Sequence, residues 1–108
     1  MEVKKLIEDL AALFPQFEQE WREDTDGDTW DHTLHSVWMS FAPLCQNYLE
    51  AAPNKTRDQF CQLVNEQVAA GGGYENAVST CLLEHASQLG VRKLIQSHLS
   101  EDAKRELR

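Results

Sequence analysis

The sequence predicts an all-α fold: one compact bundle of five to seven helices spanning residues 1–108, with no sheet. Three observations carry this. Apolar residues recur at steps of three and four almost throughout. No window alternates polar and apolar long enough for a strand. Proline and glycine fall between the apolar stripes, where helices end.

The first stripe is Val3, Leu6/Ile7, Leu10, Phe14, Phe17 and Trp21, with Pro15 restarting the helix in its first turn. Leu34, Val37/Trp38, Phe41, Cys45, Tyr48/Leu49 and Ala52 form the second. Pro43 lies inside it, removes a backbone hydrogen bond and disfavours a helical Ala42, so a kink or break is expected near 40–43. Pro53 ends this segment, and Asn54 or Thr56 can cap the next helix. That helix carries Phe60, Leu63/Val64 and Val68, and Gly71–Gly73 stop it as a flexible inter-helix turn. Tyr74, Ala77/Val78, Cys81/Leu82, His85 and Leu89 read as a further helix reaching Gly90, with His85 as a core histidine. Val91, Leu94/Ile95 and His98/Leu99 make a short helix, and Ser100 is placed to cap a final turn.

A chain of 108 residues can bury a core unaided. Surface scaling gives about 6,100 Å² folded against about 17,800 Å² extended. The composition is 42% hydrophobic with three prolines, which excludes a disordered chain. No stretch approaches the ~20 apolar residues of a membrane span. The N-terminal stretch lacks the uncharged apolar run and cleavage site of a signal peptide. Three cysteines, an odd number without CxxC spacing, sit on apolar stripes, so burial and a reducing cytoplasmic setting are expected.

Charge is the more specific signal. The net is −8; residues 1–31 hold ten acids against three bases, while residues 32–108 hold eight against seven. This field repels nucleic acid and anionic membrane and attracts a basic partner.

The stretch Glu23–His35, EDTDGDTWDHTLH, admits four chemistries. A calcium loop starting at Asp24 places Asp26 and Asp28 well, but puts Thr29 where glycine is needed, Asp31 at the apolar position and His35 where a bidentate glutamate closes the site. His32 and His35 lie three apart and would share a helical face with Asp28 or Asp31 nearby, yet polar residues at a helix start give the same pattern, with Asp31 as N-cap. No nucleophile elbow, phosphate loop or HExxH supports catalysis, and no catalytic residue, metal or cofactor is expected. A binding surface remains. Glu20, Glu23, Asp24, Asp26, Asp28, Asp31, His32 and His35 would form an acidic rim around Trp30, the arrangement of an interface with a basic protein. Trp21, on the apolar stripe, is expected to point inward.

The string LFPQFEQEW at 13–21, a histidine-bearing helix after it, and FAPL at 41–44 resemble a family of short, acidic, all-helical bacterial proteins similar to the immunity proteins of toxin–immunity systems. The matching elements Leu13, Phe14, Pro15, Phe17 and Pro43 map onto helix packing. The resemblance implies a 1:1 complex with a cognate toxin domain, such as a nuclease or ADP-ribosyltransferase, whose basic cleft the protein blocks. The alternative is a metal- or ligand-responsive regulatory or adaptor module using residues 24–35.

Overall fold

The computed structural model describes residues 2–25 and 32–108, with the side chains of Glu2, Asp24 and Thr25 outside the description. Seven α-helices follow one another: α1 (Glu2–Leu13), α2 (Pro15–Thr25), α3 (Leu34–Ala51), α4 (Asn54–Ala70), α5 (Gly72–Cys81), α6 (Arg92–Ile95) and α7 (Glu101–Glu106). Single 3₁₀ turns lie at Leu83–His85 and Gln96–His98. Among the described residues there is no strand. The radius of gyration is 12.7 Å, close to the ~13 Å expected of one compact domain of this length.

The core is aromatic at its centre. Phe41 of α3 has the rings of Phe14, Phe17, Trp38, Tyr48 and Phe60 at centroid distances of 5.4 to 5.9 Å. Leu10, Leu49, Val64, Val78 and Ile95 close around this cluster without exposed surface. Each helix supplies it with the three-and-four stripe that the sequence carries, because those positions share one helical face.

Local chemistry fixes the joints. Phe14 interrupts α1, and Pro15, whose missing N–H costs nothing in a first turn, starts α2. Arg57 donates Nε to the Leu49 carbonyl at 2.6 Å and Nη2 to the Glu50 carbonyl at 3.0 Å. A cation thus satisfies the last carbonyls of α3, where the helix dipole favours positive charge. Gly71, at φ 69°, ends α4 with its N–H on the Val68 carbonyl, so the turn into α5 is a single residue. Ser100 accepts from the Ala103 N–H at 3.2 Å and caps α7, as its position predicts.

Several expectations are corrected. Pro43 does not break α3, which runs continuously from Leu34 to Ala51. The hydrogen bond that Pro43 forgoes belongs to the Met39 carbonyl, four residues back, and both residues are exposed. Water can take that carbonyl while buried Phe41, Ala42 and Cys45 hold the helix on its other face. Neither Asn54 nor Thr56 caps α4; Pro53, extended at φ −67° and ψ 160°, occupies that position without a side-chain bond.

The helix expected to reach residue 89 stops at Cys81. In the following 3₁₀ turn consecutive side chains are set at about 120° intervals. Leu83 and Ala86, three apart, therefore share its buried face; Leu82, just before the turn at φ −121° and ψ −62°, is buried as well, while His85 is exposed and bonds Gln88 at 3.0 Å. His85 is not a core histidine. Backbone bonds from Arg108 to Leu83 and from Ser87 to Arg108 tie the end of the chain around this turn.

Candidate functional site

Of the residues expected to form a partner-binding surface, Glu20 and Glu23 stand exposed on the outer face of α2. Glu23 accepts a hydrogen bond from Gln19 at 3.2 Å. Glu18, one turn before Arg22, is ion-paired to it at 2.6 Å, whereas Glu20 makes no ion pair among the described residues. The backbone of Asp24 belongs to α2, with its side chain outside the description; Asp26, Asp28, Trp30 and Asp31 lie outside the described residues.

The two histidines are not a matched pair on one helix. Thr33 caps α3, its hydroxyl accepting from the Ser36 N–H at 3.2 Å, so His32 lies before the helix and His35 in its first turn. The cap is a hydroxyl on the residue directly before Leu34, and α3 therefore does not start at Asp31. His32 is half-buried against Trp21, edge to face at 4.8 Å. Trp21 itself points inward, as expected, with 3% of its surface exposed. The His35 carbonyl accepts from the Cys81 thiol at 3.6 Å. Among the described residues no group of three or more His, Cys, Asp or Glu side chains comes within reach of one metal ion.

The thiols are arranged for packing. Cys45 and Cys61 are buried, and desolvation pushes both up to about 12. A neutral thiol is a poor nucleophile. Cys81 is only half-buried, contrary to expectation, and burial raises it too.

Beside the acidic face of α2 lies a feature that the sequence reading missed. Where α1 gives way to α2, the chain stands away from the last turns of α3 and leaves an open groove of about 800 Å³. Phe14 and Tyr48 form its floor, stacked at 5.4 Å with an interplanar angle of 12°. Leu13, Leu44 and Ala52 line its sides, and Gln16, Gln19, Asn47 and Glu20 line it with polar groups. Glu20 is the only charged residue among the lining side chains, and no lysine or arginine lines it. Burial raises the Tyr48 phenol, and the negative charge of Glu20 raises it further. A second, shallower depression of about 360 Å³ on α2 shares Pro15 and Gln19 with the groove and adds Glu18, Arg22 and Glu23. Apolar groove and acidic face are thus one continuous surface. A third depression, lined by Ser87, Gly90, Arg92, Lys93 and Gln96, carries the opposite charge.

Sequence periodicity assigned Phe14, Tyr48 and Ala52 to core stripes, and each does touch the core. The signal that could have separated them was the pair Pro15 and Pro53, two helix joints brought together at one end of α3. Tyr48 added to it, because a phenol in an apolar stripe belongs at the edge, where its hydroxyl stays wet.

A family model described as "Domain of unknown function (DUF7674)" matches residues 7–108. No curated protein and no solved structure matches the chain.

Proposed function

Since the chain belongs to the DUF7674 family, whose description assigns no activity, we propose from its own surface chemistry that it is an immunity protein. It binds a basic bacterial toxin domain one-to-one in the cytoplasm and blocks a cleft that the toxin uses for a phosphate-bearing substrate. The observation that carries this reading is the placement of charge. Residues 1–31 hold −7 of the net −8, and the acids of α2 project from a helix whose inward anchors, Phe17 and Trp21, are already buried. Their charge contributes little to packing and remains available for steering.

The proposed contact surface is Glu20, Glu23 and Asp24 on α2, continued by Asp26, Asp28, Trp30 and Asp31 on the strength of sequence alone. His32 and His35 belong to the same proposed surface; the His32 ring packs against Trp21, and the His35 carbonyl accepts from the Cys81 thiol. No catalytic role is proposed for any residue.

The test is co-expression with the toxin domain encoded beside this gene, together with calorimetry of the purified pair. Protection of the cells and a 1:1 stoichiometry are expected. A purified pair that neither binds nor protects contradicts the reading.

A further inference from the structure

We infer that the groove between the α1–α2 joint and α3 seats a cationic segment of the partner protein, with one large apolar side chain on Phe14 and Tyr48 and a flanking lysine or arginine at Glu20. This rests on the reading of the chain as a binder of a basic protein. It places an apolar anchor beside the acidic stretch, which by sequence alone had only Trp30 for that role.

The floor is a stacked aromatic pair in which Phe14 is buried and Tyr48 keeps part of its surface open, with Tyr48, Leu44 and Ala52 each half-buried. Such a surface loses water favourably to an apolar side chain or to the plane of a guanidinium. The groove is several times what one aromatic side chain fills, so it takes a segment of chain rather than a single residue. The sign of the occupant follows from the rim: among the described residues Glu20 is its only charge and makes no ion pair, and α3 itself contains no lysine or arginine. The neighbouring depression extends the same negative field through Glu23.

A second copy of this chain is a poor occupant, because each copy brings a net charge of −8. The groove alone falls short of the ~800 Å² per partner of a standard interface. It therefore supplies the buried anchor that binding energy concentrates on, while the acids around it supply attraction and register.

The experiment is a ¹⁵N–¹H NMR titration of the intact protein with three blocked synthetic peptides: Lys-Leu-Trp-Lys-Lys, Glu-Leu-Trp-Glu-Glu and Lys-Ala-Ala-Lys-Lys. The first should shift the amides of Leu44, Tyr48 and Ala52, and the other two should bind at least about tenfold more weakly, the loss of a single hot-spot contact. Glu20→Gln should weaken the first peptide about threefold, the scale of one exposed ion pair. Ala51→Arg, placing a bulky cation at an exposed lining position, should weaken it at least about tenfold. Both substitutions lie on solvent-facing sites, and the unshifted remainder of each spectrum reports that the fold is kept.

Equal binding of the acidic peptide, shifts confined to residues 23–31, or indifference to Ala51→Arg would overturn the proposal. So would concentration-dependent shifts at the groove without peptide, which would assign it to a second copy. A groove that ignores the peptides while the toxin pair still forms and protects refutes only this inference. Failure of the toxin pair with peptide binding intact refutes only the immunity reading.

Discussion

Helices α2 and α3 face each other across the groove and are built on opposite rules. Helix α3 carries one charged residue in eighteen and buries Val37, Trp38, Phe41, Ala42, Cys45 and Leu49. Helix α2 carries five charged residues in eleven, and only Phe17 and Trp21 among its described side chains are buried. One helix is defined by what it packs against, the other by what it displays. Because the two roles occupy different side chains, substitutions should separate stability from partner binding.

The largest effect is expected at Phe41. Its ring lies against five other aromatic rings and is fully buried, so Phe41→Ala should cost about 3–5 kcal/mol by cavity formation. Urea denaturation measures it directly, and partner binding should fall with the folded fraction. A loss under about 1 kcal/mol would mean that the aromatic cluster is not the stabilising centre.

A smaller effect sharpens the same contrast through the cysteines. Cys45 and Cys61 should react with a thiol reagent at pH 8 far more slowly than Cys81, because burial holds both near pKa 12 and shields them. Denaturant should bring all three to a common rate. Rapid native labelling of Cys45, which shares the buried face of α3, would contradict the packing of that helix.

The fold was legible to the extent that it rests on period. Leu6, Leu10, Phe17, Phe41, Phe60, Val64 and Val78 were named as stripe positions, and all are buried. The misreadings fall where period gives way to local geometry or to solvent. The helical period is lost at Leu82, at φ −121° and ψ −62°, so Leu82 and Leu83 are both buried and His85 is exposed. Pro43 is tolerated on an exposed face of α3, where water can take the carbonyl it frees, and sequence alone does not say which side of α3 is wet. The site divides in the same manner. Charge is additive along the chain, so the acidity of Glu18–Asp24 is visible without a structure. The groove arises from the divergence of two helices that sequence does not align, which is why Phe14 and Tyr48 were read as core alone.

A small, pH-dependent effect tests whether charge contributes to stability elsewhere. Burial raises the Glu106 carboxyl, and repulsion from Glu75 and Asp102 adds to it, while Ser79 opposes. A carboxyl whose folded value exceeds its unfolded value binds more protons when folded, so its contribution is fully present below the unfolded pKa and is lost as pH rises through the folded one. Glu106→Gln, whose amide can donate toward Glu75, should therefore raise the melting temperature modestly at pH 7 and leave it unchanged near pH 3.5. An equal shift at both values would show that packing, not ionisation, is responsible.

On the proposed reading, the acidic face of α2 steers a basic partner and contributes nothing essential to folding. The most direct measurement of this is the association rate of the toxin pair against ionic strength, for the wild type and for Glu20→Gln/Glu23→Gln. Steering is screened over about 8 Å at physiological salt. The wild-type rate should fall as salt rises, and the double variant should associate several-fold more slowly at low salt and converge with the wild type at high salt. Its unfolding free energy should change by less than about 0.5 kcal/mol, as for exposed substitutions. Identical rates and salt dependences for the two proteins would contradict the claim.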